Sequence, residues 1–374
     1  MSQIICNAVC IVAYLMINNV WAQSGLGQGY EFDGNGKIQS GHHFTEPFKE
    51  TTPGVDFKVL NISGFRTDLQ RQLKYLRIKN ISAQGSKSNL IYSNTKLQQV
   101  IEMLLAIDSL DQNTLSEKFT MYQMAGEDDM GNVHFTGYFT PEMHVSSYET
   151  EIFKHPIYTL PEPEHRRYTR AQIDTQHLLK NKALEIAWSA DLLSNYFLQV
   201  QGSGIAIFED GSRKTFVYAG QNRRAYVSLG KFLVENGKVS KEEISLSAIR
   251  IWFDQHPEEL EDALNRNPSY VYFNLSDDVP KGGARLPLSA GVSAAVDIGY
   301  VPYGSCLIAK VPVLNDAGHF SHHEYRLLLA HDRGGAIKKG HIDLYTGSGN
   351  VAKKRADYLH HYGHVWLLMP KKSY

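Results

Sequence analysis

The sequence is poor in cysteine and has no excess of charge of either sign. Only three cysteines occur in 374 residues, and Cys6 and Cys10 lie in an apolar N-terminal stretch. If that stretch is removed on export, Cys306 alone remains and no internal disulfide can form. The formal net charge of −1 gives no global electrostatic reason to bind nucleic acid. We therefore predict neither an internal disulfide nor a nucleic-acid partner.

The first residues lack charged side chains altogether. Residues 1–22 contain no Lys, Arg, Asp or Glu, and an apolar run over 4–17 leads to a small-residue cleavage pattern ending at Ala22. Because the run is short for a membrane span, a cleaved export signal is predicted rather than a permanent anchor. Neither Cys6 nor Cys10 follows the small residue that lipid attachment requires. No lipid anchor is predicted.

Motifs for cofactors, metals and nucleophilic thiols are also missing. Residues 347–349 (Gly-Ser-Gly) precede a helical pattern, but no strand–helix–strand unit with a following acidic residue accompanies them, so no dinucleotide site is predicted. Three histidines crowd between His319 and Glu324, yet their spacing matches neither common zinc-protease motif. Cys306 lies in an apolar, strand-like run and is predicted to be buried. We predict no cofactor and no metal ion.

Helical and strand patterns alternate along the chain without internal repeats, after an extended segment over 23–56. Apolar spacing and capping residues predict the following helices: one containing Leu69, Leu73 and Leu76, one over 97–105 capped by Ser93 or Asn94, 170–179, 244–252 after a Ser240/Glu243 capping box, one starting at Pro257, and 350–362 ended by Gly363. Strands are predicted at 153–160, 196–201, 215–219, 294–297, 306–313, 325–330, 340–345 and 364–369. Composition and periodicity alone support an α+β or all-β chain with helical additions.

Two aspartates, Asp332 and Asp343, flank a Gly-Gly turn near the C-terminus. Strand alternation places Asp343 on a polar face with His341, while Ile342 and Leu344 face the core. Such a pair either braces turns or forms an acid site. A free Asp titrates near 3.9, so an acid catalyst needs burial or a neighbouring negative charge to raise its pKa. Spacing alone does not decide between these two interpretations.

The acidic segment reads D-x-G-G-A-I-K followed by D-x-Y-x-G-x-G, which resembles the C-terminal signature of the membrane-bound lytic murein transglycosylase A family. Further similar segments occur upstream in the family's order: 135–141 (FTGYFTP), 196–204 (YFLQVQGSG), 218–222 (YAGQN), 267–270 (NPSY), 286–291 (LPLSAG) and 295–297 (AVD). Each segment alone is weak, but together they make the resemblance specific.

The resemblance implies a mainly β fold with helical additions and two domains. Residues 23–138 and 276–374 are expected to form one discontinuous catalytic domain that contains a six-stranded double-psi β-barrel. Residues 139–275 are expected to be an inserted small β-barrel domain, with the substrate groove between the two.

The resemblance also implies the chemistry and the residue roles. One Asp protonates the bridging oxygen of a β-1,4 glycosidic bond in peptidoglycan and then takes a proton from the C6 hydroxyl of the same muramyl ring, which leaves a 1,6-anhydro end. Asp343 occupies the position of this acid/base. Asp332 is expected to support it, either by raising its pKa or by binding sugar hydroxyls. Asp297, the third acid of the three-aspartate module, is expected to hold a turn, and Lys338 would oppose acid catalysis if it paired with a carboxylate.

Substrate contacts are expected from polar or aromatic residues in the matched segments: Thr136, Tyr138, Gln201, Ser203 and Tyr345. Peptidoglycan glycan strands are the expected partner, with other cell-wall enzymes as further candidates. The periplasm is the expected location, with association to the outer membrane as a further expectation. Two alternatives stay open: a hydrolytic muramidase that uses both Asp332 and Asp343, and a glycan-binding module without catalysis.

Overall fold

The computed structural model describes residues 33–37, 43–51, 57–240, 244, 246–335 and 337–371. The predicted signal at 1–22 lies outside these residues, as does Glu243 of the predicted capping box. The described residues form two compact units, one within Thr140–Pro280 and the other within Gly25–Phe139 and Lys281–Tyr374. In the described ranges, no helix combines the length and hydrophobicity needed to cross a bilayer.

The described chain is mainly β, as predicted. Its strands are β1 Phe48–Thr51, β2 Leu60–Asn61, β3 Ser109–Leu110, β4 Phe119–Met124, β5 Val133–Thr140, β6 Glu142–Ser146, β7 His155–Tyr158, β8 Glu185–Ser189, β9 Ser203–Ile207, β10 Arg213–Gln221, β11 Val271–Ser276, β12 Ser293–Ala295, β13 Cys306–Leu314, β14 Phe320–Asp332, β15 His341–Ser348 and β16 His360–Pro370.

Helices are interspersed between these strands. They are α1 Arg66–Ile78, α2 Asn94–Leu105, α3 Gln112–Lys118, α4 Leu192–Gln201, α5 Leu229–Glu235, α6 Leu246–Gln255, α7 Leu260–Asn265 and α8 Gly349–Tyr358, with short 3-10 turns at Ser63–Phe65 and Pro257–Glu259 and a π-turn at Ala171–Thr175.

The unit that contains both the early and the late residues is built on one sheet. Its strand order is β1-β4-β16-β13-β14-β12-β15-β5, and β16 also pairs with β5. This additional pairing closes β16, β13, β14, β12, β15 and β5 into a ring of six strands. β12 runs parallel to β14, whereas its pairing with β15 is antiparallel. Ring closure is what brings β5, from the early part of the chain, beside the late strands.

Apolar side chains of the ring and of helices α1 and α2 form the larger core. The leucines that predicted these helices are buried, including Leu69, Leu76 and Leu97. Ser93 caps α2 by accepting a hydrogen bond from the Lys96 backbone N–H, as one of the two predicted caps. Each fully buried leucine contributes about 1.5–3 kcal/mol to folding. Strand β15 is packed on this core through Ile342 and Leu344.

The other unit has a six-stranded sheet in the order β11-β10-β9-β6-β8-β7. Phe216 and Phe273 pack edge-to-face in its core. Its largest fully buried side chain is Arg170, which pairs with Asp174 at 3.3 Å and donates to the Gln199 side chain at 2.6 Å. Arg170 also donates to the Ser269 carbonyl at 2.8 Å, so it links α4 to the segment before β11.

Three predicted elements differ from the observed ones. Residues 196–201, predicted as a strand, end helix α4, which starts with an Asp191 N-cap and stops at Gly202 in the left-handed conformation (φ 76°). The predicted helix at 170–179 shrinks to the π-turn. The helix predicted to end at Gly363 stops at Tyr358, and Gly363 lies inside β16. A Cβ there would approach the Lys310 carbonyl oxygen to 2.1 Å, so close strand contact explains this glycine.

Candidate active site

Strand β15 presents Asp343 as the sequence pattern predicts. Ile342 and Leu344 are buried on the core side, while Asp343 is partly buried on the opposite face. The backbone of Asp343 pairs with Ala295 of β12. Regular pairing and a packed underside fix the direction in which this carboxyl group projects.

One side-chain hydroxyl contacts Asp343 directly. Thr136 Oγ1, on β5, donates to Asp343 Oδ1 at 2.7 Å and lies 2.8 Å from His341 Nε2. Thr136 itself is only 4% exposed. Its hydroxyl is thus occupied by protein groups, although the sequence suggested a substrate contact.

The environment of Asp343 favours its protonated form. Burial raises its pKa from 3.8 to about 7, the Thr136 hydrogen bond acts against this rise, and the negative charge of Asp332 adds to it. Desolvation is thus the main cause and Asp332 a secondary one. Lys338 is exposed and is not among the groups that act on this pKa. A carboxyl group with this pKa can donate a proton near neutral pH.

Asp332, the last residue of β14, has a different set of neighbours. Its Oδ1 accepts hydrogen bonds from the backbone N–H groups of Gly283 and Arg333 at 2.7 and 2.8 Å, and its Oδ2 accepts one from the Tyr138 hydroxyl at 3.0 Å. Burial is the larger effect and raises the pKa of Asp332 above its ordinary value, although all three hydrogen bonds favour the carboxylate and act against this rise. Asp332 thus accepts three hydrogen bonds, whereas Asp343 accepts one from a side-chain hydroxyl.

The other predicted site residues occupy several places. Tyr345 is buried on β15 with its ring 5.2 Å from that of Tyr138. Asp297 accepts the Gly299 N–H at 2.9 Å, which is a contact within a turn, and the N–H of Lys339, distant in sequence, at 3.3 Å. Gln201 ends α4 and Ser203 begins β9. Both belong to the Thr140–Pro280 unit, whereas Asp343 belongs to the other.

Several residues that surround the acids have no function predicted from the sequence. Gly283 and Arg333 donate backbone N–H groups, so their side chains do not predict these contacts. The one indication in the sequence is that Arg333 directly follows Asp332. No role was predicted for His134, although it lies on β5 two positions before Thr136 and therefore on the same face. Its ring stacks on that of His341 with centroids 4.8 Å apart.

One group in the described chain could approach a metal ion. Glu127, His134 and His341 each bring a ligand atom within 4.8 Å of the others. Two ligands of one zinc ion lie at most about 4.2 Å apart, since each bond is about 2.0–2.1 Å. The group would have to contract to bind zinc. Of the histidines singled out in the sequence, His323 instead bonds to the Tyr362 carbonyl at 2.8 Å.

Comparison with known proteins places this geometry in a family. Residues 134–274 match the MltA specific insert domain and residues 292–369 match the 3D domain. The membrane-bound lytic murein transglycosylase A of Escherichia coli K12 is 36% identical over 362 residues, which are 96% of this chain and 95% of the relative. The chain belongs to the membrane-bound lytic murein transglycosylase A family. The protein of the same name from Vibrio cholerae serotype O1 is 38% identical over 300 residues, 79% of this chain and 81% of that one.

Solved structures agree with this family assignment. The crystal structure of E. coli MltA with bound chitohexaose superposes with a TM-score of 0.73 at 34% identity, covering 91% of this chain and 99% of that one. LtgG, a lytic transglycosylase of Burkholderia pseudomallei, gives a TM-score of 0.59 at 26% identity, with coverage of 90% and 99%. In this lytic transglycosylase A chain, Asp297, Asp332 and Asp343 all fall within the 3D match. Gln201 and Ser203 fall within the insert match.

Proposed function

We propose that this chain is a peptidoglycan lytic transglycosylase in which Asp343 is the single acid/base. It cleaves the β-1,4 bond between N-acetylmuramic acid and N-acetylglucosamine. The observation that carries the proposal is the contrast between the two acids: Asp343 is partly buried and accepts one hydroxyl hydrogen bond, whereas Asp332 accepts three hydrogen bonds. Family membership and the binding of chitohexaose by a related protein support a glycan substrate.

The reaction has two proton transfers at Asp343. Protonated Asp343 gives its proton to the bridging oxygen as the bond from that oxygen to C1 of the muramyl ring breaks. Asp332, as a carboxylate, stabilises the positive charge that develops on the ring. The Asp343 carboxylate then takes the proton of the C6 hydroxyl while O6 bonds to C1. The acid is regenerated, a 1,6-anhydro end forms, and no water is consumed.

A hydrolase would need a second carboxylate that activates water or attacks the sugar. Asp332 is poorly suited to that role, because hydrogen bonds occupy both of its oxygens. The raised pKa of Asp343 likewise disfavours a module that only binds glycan, since a carboxyl group whose surroundings oppose its ionisation lowers stability at neutral pH, and binding alone does not require that cost.

We further propose that the six-stranded ring is the core of a double-psi β-barrel in a discontinuous catalytic domain, 23–138 with 276–374. Residues 139–275 form the inserted domain, a small β-barrel. Gln201 and Ser203 contribute to glycan binding from the insert, and Tyr345 from the catalytic domain. Since family relatives are named membrane-bound, the cell envelope is the proposed location.

Product analysis tests the proposal directly. Murein digested by the wild-type protein should carry 1,6-anhydromuramyl ends, about 18 Da lighter than reducing ends because no water is added. Asp343→Asn should abolish cleavage, because the amide can neither donate nor accept the proton. Asp332→Asn should be milder, since the retained Oδ1 still accepts both backbone N–H groups and the new amide can donate to the Tyr138 oxygen.

Two results would contradict the proposal. A predominance of reducing-end muramic acid, with both aspartates equally indispensable, would establish the hydrolase. Binding of glycan without any cleavage product would establish the binding module.

A further inference from the structure

The Thr136 hydroxyl lies between two groups that can each exchange a proton with it. Its oxygen is 2.8 Å from His341 Nε2 and 2.7 Å from Asp343 Oδ1. A hydroxyl has a single hydrogen, so it can donate to only one of these two neighbours. The direction of one hydrogen bond therefore dictates the direction of the other.

Two arrangements are possible, and they place the acid proton on different oxygens. If Thr136 donates to the histidine, Asp343 Oδ1 must carry the proton and donate it to the threonine oxygen. If Thr136 donates to Asp343, Oδ1 is the accepting oxygen and the proton is carried by Oδ2. Only the second arrangement leaves the proton free for transfer.

We propose that His341 is a positioning residue for the acid step, because its Nε2–H donates to the Thr136 hydroxyl and so forces Thr136 to donate to Asp343 Oδ1. The transferable proton is then held on Oδ2. This inference rests on the proposed function of Asp343 and adds to it the residue that fixes the orientation of the acid.

Packing holds the His341 ring in place for this task. The ring stacks on His134 at 4.8 Å and 25°, and His134 stacks on Tyr362 at 5.1 Å and 27°. Glu127 Oε1 lies 3.5 Å from Nδ1 of His134, the central ring of this stack. His341 itself is neutral near pH 7, since burial and the nearby His134 lower its pKa to about 4. A neutral imidazole has one N–H, so its tautomer determines the direction of the chain.

The ionisable groups around the chain come from several strands. Asp332 on β14 and His134 on β5 act on the Asp343 carboxyl group. His134, Glu127 and, on β16, His360 act on His341. Substitution of His341 leaves all of these groups in place, so a change in the pH profile of such a variant reports on the hydrogen-bond chain.

A double-mutant cycle tests the inference. Thr136→Val removes the hydroxyl at nearly constant shape, and His341→Phe keeps a ring for the stack but removes the N–H. Each should lower kcat roughly 10- to 100-fold with KM little changed, as expected when a proton donor is misdirected. The double variant should be no worse than Thr136→Val alone, because His341 acts only through Thr136. If the reductions in kcat of the two single variants multiply in the double variant, the inference is refuted.

Conservative variants and pH profiles give a second readout. Thr136→Ser keeps a hydroxyl, and His341→Gln keeps an N–H donor, so both should retain most of the activity. The Thr136 hydrogen bond lowers the Asp343 pKa, so Thr136→Val should move the alkaline limb of the kcat profile to higher pH. An unmoved limb, or a Ser variant as weak as the Val variant, would count against the proposed chain.

A measurement without turnover separates this inference from the proposed function. ¹⁵N NMR of the His341 ring in the wild-type protein should show the Nε2–H tautomer at neutral pH. The Nδ1–H tautomer would overturn the inference even if anhydro products form. The absence of anhydro products would instead overturn the proposed function, while the tautomer would still report on the hydrogen-bond chain.

Discussion

Asp343→Asn should stabilise the protein at neutral pH while it abolishes activity. The folded protein raises the pKa of this carboxyl group from 3.8 to about 7, mainly by burial. Between these pH values the folded state binds a proton that the unfolded state has released, so wild-type stability falls as pH rises. The asparagine side chain does not ionise and is spared this loss.

The size of the effect follows from the two pKa values. A tenfold change in proton affinity corresponds to about 1.36 kcal/mol. A pKa that moves from 3.8 to about 7 therefore costs the folded wild type up to about 4 kcal/mol above pH 7. Well below pH 3.8 the carboxyl group is protonated in both states, and the cost vanishes. The Asn carbonyl oxygen can still accept the Thr136 hydrogen bond, so that contact should cancel in the comparison.

Urea unfolding of the wild type and the variant at matched pH values from 4 to 8 measures this difference. The midpoint of the variant should exceed that of the wild type increasingly between pH 4 and 7, with similar m-values. A difference that does not change with pH, or a variant that is less stable throughout, would refute the raised pKa and with it the acid role of Asp343.

Asp191→Asn provides a control for which the pH dependence of the stability difference has the opposite sign. Burial opposes ionisation of Asp191, but hydrogen bonds from Ser194 and the Arg250 charge outweigh it and hold the pKa of Asp191 below its ordinary value. Its carboxylate therefore stabilises the fold above the unfolded pKa, and this contribution disappears as pH falls through the lower folded pKa. The loss caused by Asp191→Asn should accordingly grow from acid to neutral pH.

Three further predictions concern other parts of the chain. Iodoacetamide should not label Cys306 in the native protein, because burial raises its thiol pKa to about 12; mass spectrometry before and after urea treatment checks this, and rapid native labelling would contradict it. Gly363→Ala should destabilise the protein by about 3 kcal/mol, because the new Cβ meets the Lys310 carbonyl; an unchanged urea midpoint would show that the strands can separate. Gln201→Ala should raise KM more than it lowers kcat, as expected for lost substrate binding; a fall in kcat alone would place Gln201 in the chemistry.

Local patterns predicted those features that depend on neighbouring residues. Alternation around Asp343 identified the strand, its buried face at Ile342 and Leu344, and its polar face. Leucine spacing identified α1 and α2. The helix at 192–201 was missed because an aromatic and β-branched run reads as a strand. The decisive signals lay at its ends, in the Asp191 N-cap and the left-handed Gly202.

The partners of the two acids could not be read from local patterns. Thr136 and Tyr138 were predicted to contact substrate because they are polar or aromatic residues in a matched segment. They reach the acids only because β5 pairs with both β15 and β16 and closes the ring. Gly283 contributes a backbone N–H to Asp332 from a loop far away in sequence. The strand pairing that closes the ring and the backbone hydrogen-bond donors both depend on tertiary structure. Side-chain identities alone therefore do not predict them.

The different roles proposed for Asp332 and Asp343 rest on their hydrogen-bond donors rather than on burial. Burial raises the pKa of both Asp332 and Asp343, so desolvation alone would leave two equivalent protonated acids. Three donors on Asp332 favour its negative charge, and that charge in turn helps to keep the proton on Asp343. Strand β5 supplies a donor to each acid, Tyr138 to one and Thr136 to the other. One short strand thus contributes a hydrogen-bond donor both to the proposed stabilising carboxylate and to the proposed proton donor.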